Sequence, residues 1–100
     1  MAVKLLMSWD ILPGREQEYF EFVVREWIPG IQRIGLEPTD AWFTMYGEQP
    51  QIIAAAVMPS HAALKRALAT DDWHKLTEQL LDLVENFDTK IIPARKGFQM

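Results

Sequence analysis

The chain has 100 residues, 49% of them hydrophobic and 24% charged, with a formal net charge of -4. That composition makes one globular domain, residues 1–100, with a real core, and excludes a disordered chain. Ten Lys and Arg against 14 Asp and Glu, dispersed along the chain, exclude the dense basic surface that nucleic acid or another anionic partner requires, and the absence of cysteine excludes disulfides, thiolate nucleophiles and Cys-ligated zinc.

Val3 to Asp10 reads as the first strand, with Val3, Leu5, Met7 and Trp9 on one face and Lys4, Leu6 and Ser8 on the other. Its apolar start is followed by Trp9-Asp10 without a small-residue cleavage site, so it reads as a strand rather than a signal peptide. Pro13-Gly14 supplies turn chemistry. Arg15 to about Ile34 reads as a helix. Phe20, Val23, Val24, Trp27, Ile31 and Ile34 recur at the spacing of one buried stripe. Glu16 and Glu18 suit the positive end of the helix dipole. Pro29-Gly30 predicts a kink or a new short helix, and Gly35 a C-terminal stop.

Thr39 to Tyr46 reads as a strand with Ala41, Phe43 and Met45 on one side and Trp42, Thr44 and Tyr46 on the other. Gly47-Glu48-Gln49-Pro50 makes a hairpin connection to its partner, Gln51 to Met58. Ser60 caps a short helix from His61 to Ala69, and Thr70-Asp71-Asp72 opens the next. That last helix is predicted over Trp73 to Phe87, with the stripe Trp73, Leu76, Leu80, Leu83, Val84, Phe87. Thr89 to Ala94 reads as the final strand, confined by Pro93 to an edge or to a position with no required donor, and Gly97 to Met100 as a tail.

The order β-α-β-β-α-β, with the second helical segment in two pieces, predicts an α+β, ferredoxin-like domain with an antiparallel sheet. Right-handed crossovers place both helical segments on one face of it. Yet Ile52-Ile53-Ala54-Ala55-Ala56-Val57-Met58 has no polar alternation, which is the pattern of a strand buried on both faces. The second cover is expected to come from another copy of the chain, sheet against sheet, since a homodimer removes the apolar patch. No segment is long and apolar enough to span a membrane, and the cytoplasm is the expected compartment.

Candidate chemistry is sparse. Trp42, Thr44 and Tyr46 with Lys4, Leu6 and Ser8 combine amphipathic rings, hydroxyls and an ammonium. That mixture suits a cavity for a small, flat, mostly apolar ligand; equally, these side chains could fill a dimer core. His74 lies beside the stripe of the last helix and could shuttle protons or bind a metal axially, or be an ordinary surface histidine; His61 opens a helix in the same way. The two histidines have no metal-ligand spacing, so no metal or cofactor is implied. Asp71-Asp72 reads as helix capping rather than acid–base chemistry.

Pro13-Gly14 followed by Glu18-Tyr19-Phe20, then Gly35-Leu36, Ala41-Trp42-Phe43-Thr44 and Gly47, and finally Asp72-Trp73, resemble the NIPSNAP-like group of dimeric α/β-barrel proteins. The resemblance covers nearly the whole chain. It implies two ferredoxin-like protomers packing their sheets into a barrel with an internal cavity. The same superfamily includes antibiotic-biosynthesis monooxygenases, haem-degrading enzymes, EthD-like proteins and stress-responsive barrels. No residue set carries over a catalytic site. Three functions are therefore expected to compete. The first is a homodimeric small-molecule-binding barrel. The second is a cofactor-free oxygenase or isomerase for an aromatic substrate. The third is a structural or partner-binding module with a filled barrel.

Overall fold

The computed structural model describes residues 1–43 and 52–94, with residues 40–43 as backbone only. Thr44, Tyr46, the connection predicted at Gly47–Pro50 and the predicted tail lie outside the described residues. In chain order the elements are β1 (Val3–Ile11), α1 (Glu16–Phe22), a π-helical turn (Val23–Trp27), α2 (Ile28–Arg33), β2 (Glu37–Phe43), β3 (Ile52–Met58), α3 (His61–Leu68), α4 (Asp71–Leu81) and β4 (Val84–Pro93). The sheet order is β2-β3-β1-β4 and every neighbouring pair is antiparallel. β1 and β2 are thus parallel with β3 between them, and β3 and β4 parallel with β1 between them. This is the split βαβ arrangement of an α+β, ferredoxin-like domain. Pro93 falls on an edge strand, where its missing N–H costs no ladder bond on the open side.

The strict alternation of β1 decides where the core lies. Val3, Leu5, Met7, Trp9 and Ile11 are buried, while Lys4, Leu6, Ser8 and Asp10 between them are half-buried. The buried set joins Trp27, Ile31, Leu64, Trp73, Leu76 and Leu80 from the helices in one core. The described helices therefore cover one sheet face. Their ends are well specified. Ser60 Oγ accepts from the Ala63 N–H at 3.0 Å, and Thr70 Oγ1 from the Trp73 N–H at 3.1 Å. At the end of α2, Gly35 at φ +98° lets its own N–H reach Gln32 O and the Leu36 N–H reach Ile31 O. Those two bonds form a Schellman cap, sealed by the burial of Leu36 and Ile31.

One predicted stripe and one predicted helix boundary are wrong in instructive ways. Phe20 and Val24 point to solvent, and Tyr19 is buried in their place. The cause is the π-helical turn. Pro29 has no N–H and its ring crowds the carbonyl one turn back, so the helix widens just before it. The Ile28 N–H accordingly bonds Val23 O, five residues back. One extra residue in that turn rotates α1 by roughly 100° against the helical wheel.

The second correction concerns the last helix. It stops at Leu81, and Val84 and Phe87 belong to β4, which begins five residues before the predicted strand. The pairing with β1 shifts between Ser8 and Asp10, where β4 bulges. Asn86 takes φ 59° in that bulge, and its Nδ2 donates to Asp10 Oδ2 at 2.9 Å. A bulged strand returns to the same face after three residues, as a helix does. Val84 and Phe87 therefore both reach the core side and imitate an i, i+3 stripe.

Candidate functional site

The sheet face away from the helices is the candidate site. Its composition follows from register. On β1 the outward set is Lys4, Leu6 and Ser8. Across from these on β3 stand Val57, Ala55 and Ile53, and on β4 stand Ile92, Lys90 and Asp88. Ile53 pairs in turn with Trp42 of β2, which places the Trp42 position in the same row as Ser8 and Asp88. The continuous apolar run of β3 thus divides between faces. Ile52, Ala54, Ala56 and Met58 face the helical core, and Ile53, Ala55 and Val57 face away from it.

The centre of this face is apolar and its borders are charged. Leu6, Ile53, Val57 and Ile92 are only half-buried, whereas Glu37, Asp88 and Lys90 towards the two edges are exposed. Among the described residues Ala55 is the one buried apolar residue outside the helix-side core. Its cross-strand neighbour is Leu6, and Ile53 and Val57 flank it along the strand, so this face already shields small side chains by itself.

The predicted site residues separate into three groups. Lys4, Leu6 and Ser8 come together on the open face, joined by the Trp42 position. Thr44 and Tyr46 lie outside the described residues. His74 is exposed on α4, whose buried residues pack on the opposite side of the sheet. It does not meet the others within one protomer, because its neighbours Trp73 and Leu76 take the inward positions of that helix. Strand alternation in the sequence does not single out Ile53, Ala55, Val57 and Ile92. Strands with apolar residues on both sides carry no polarity difference to tell which set faces outward; register against β1 was the missing signal.

On the helix side, Trp9 Nε1–H donates to Tyr19 Oη at 2.9 Å. Burial pushes the Tyr19 hydroxyl above its ordinary value of 10.0, and the Trp9 bond offsets part of that rise. Trp9 also stacks on Phe87 at 5.8 Å between centroids and meets Trp27 edge-on at 6.0 Å. This cluster packs beneath the sheet on the side opposite Ser8. Among the described residues no group of three or more His, Asp or Glu could hold a metal. No described helix is long and apolar enough to cross a membrane.

No family model and no curated protein matches the chain. Solved structures do. A NIPSNAP family protein from Agrobacterium tumefaciens has 22% identity over 97% of this chain and 96% of its own, with a TM-score of 0.75. The fold is that of NIPSNAP family proteins. SnoaB, a cofactor-independent oxygenase from Streptomyces nogalater, matches at 18% identity over 99% and 98% of the two chains, with a TM-score of 0.70. An ethyl tert-butyl ether D (EthD) family protein from Bacillus halodurans matches at 18% identity over 95% and 100%, with a TM-score of 0.67. The NIPSNAP and EthD likeness and the oxygenase likeness expected from the sequence are thus present as a shared fold.

Proposed function

We propose that the protein is a homodimeric small-molecule-binding α/β barrel, two copies closing their open sheet faces over a shared cavity. The observation that carries this reading is the uncovered face itself. Leu6, Ile53, Val57 and Ile92 are half-buried apolar side chains with no described helix above them, on a sheet whose other face carries the helix-side core. Covering such a face with a second copy buries roughly 1,000 Å² or more in total, the scale of a specific interface. Ser8, Lys4, Trp42, Thr44 and Tyr46 supply the polar points that orient a flat, mostly apolar ligand, in a cytoplasmic protein that needs no cofactor for binding. A planar aromatic compound should quench tryptophan fluorescence saturably, and Trp42→Phe should remove most of the response. A linear, non-saturable response, or quenching unchanged in Trp42→Phe, rules out this placement of the cavity.

A second reading is favoured by the likeness to SnoaB, itself a cofactor-independent oxygenase. On that reading the same cavity performs cofactor-free oxygenation of an aromatic substrate. Oxygen uptake with an electron-rich phenolic substrate, lost when Trp42 or Tyr46 is replaced, would separate it from simple binding.

A further inference from the structure

The helical layer carries a second cleft, remote from the open sheet face. It lies where α2 and α3 end, over the last residue of β3. Ile34, Met58, Ala63 and Ala67 form an apolar floor, and Arg33 and Arg66 line it from the two helices; its volume is about 430 Å³. No acidic residue lines it. Met58 belongs to the helix-side core, so the cleft opens on the side opposite Ser8.

The arginines invite a simple explanation: each occupies the last turn of its helix, where a cation complements the dipole. Hydrogen bonding leaves them more to do. At the end of α2, Ile31 O and Gln32 O already accept from the Leu36 and Gly35 N–H groups. At the end of α3, Arg66 O accepts from the Ala69 N–H, and Ala67 O from both the Thr70 N–H and its hydroxyl. Two carbonyls at each helix end are thus satisfied without a guanidinium donor. Neither arginine forms an ion pair among the described residues. Two full positive charges also outweigh the roughly half negative charge at each of two helix C-termini. What remains is a shallow apolar floor bordered by two exposed arginines that form no side-chain ion pair or hydrogen bond among the described residues.

We infer that this cleft binds a small amphipathic anion, its apolar part on Met58 and Ala67 and its carboxylate or phosphate head between Arg33 and Arg66. The site is independent of the barrel cavity, and each can fail without the other. The overall acidity of the chain conceals it, because net charge averages away a local pair of arginines.

Methyl-resolved NMR of the full chain titrated with octanoate, octyl phosphate and octanol tests the inference. Either anion should shift the Met58, Ala63 and Ala67 methyls saturably and leave those of Ile53 and Val57 unmoved. Arg33→Gln and Arg66→Gln should each weaken binding about threefold and together about tenfold, as expected for exposed charge contacts. Unchanged melting temperatures will show that these exposed positions leave the fold intact. Shifts that do not saturate, octanol binding as tightly as octanoate, full affinity in the double variant, or shifts centred on Ile53 and Val57 would each overturn the inference.

Discussion

Tyr19→Phe probes the core through a single hydroxyl. The ring stays, with its edge-to-face contact to Trp9 at 6.4 Å. Only the acceptor of the Trp9 Nε1–H bond is lost. Trp9 is 2% exposed, so its indole N–H finds no water to replace the phenol. A buried donor left unpaired costs about 1–3 kcal/mol, more than the net value of the bond itself. With an m-value of about 1–2 kcal/mol/M in urea, a loss near 2 kcal/mol lowers the unfolding midpoint by about 1–2 M at fixed protein concentration. Phe20→Ala, at a position 53% exposed, should lower it far less. The pH dependence has a definite sign. The folded phenol ionises above the unfolded value of 10.0, so the folded state holds a proton that the unfolded state releases. That stability is intact below about pH 10 and is lost as pH rises through the folded value. Tyr19→Phe should flatten this alkaline decline. A neutral Tyr19→Phe beside a costly Phe20→Ala would refute the π-helical rotation and restore the simple helical wheel.

Other substitutions check the rest of the frame. Leu80→Ala, at a fully buried position, should cost about 2–5 kcal/mol in chemical denaturation, whereas Gln79→Ala on the exposed side of α4 should cost little; equal losses would mean the wrong helix face. Gly35→Ala places a Cβ in the left-handed region at φ +98° and should cost about 1–2 kcal/mol by thermal unfolding, and a neutral result would deny the Schellman cap its role.

Much of this architecture is legible in the sequence because local signals are strong where nothing competes with them. β1 alternates strictly and forms the predicted strand, one residue longer. Ser60 and Thr70 cap the helices they were expected to cap, and Gly35 ends α2. The failures share a physical origin. Helical wheels assume a constant turn, and Pro29 widens one, so Tyr19 replaces Phe20 inside. Period analysis also assumes an unbroken strand, and the bulge at Asn86 gives Val84 and Phe87 a helical spacing on a strand. Residues of the open face are legible only where strand alternation is decisive. Lys4, Leu6 and Ser8 could be grouped from β1, but Ile53, Ala55 and Val57 required its register against β3. His74 was adjacent to an apolar stripe in sequence and is exposed in space, since neighbours on a helix point about 100° apart.

Light scattering at micromolar concentration, on the unmodified chain and on Leu6→Asp, tests the central claim most directly. Leu6 lies at the centre of the open face and outside the helix-side core, so the substitution charges the proposed interface while leaving the helix-side core intact. The account predicts twice the chain mass for the unmodified protein and a folded species of single chain mass for Leu6→Asp. A stable, well-folded monomer of the unmodified chain, with that face in water, would contradict it.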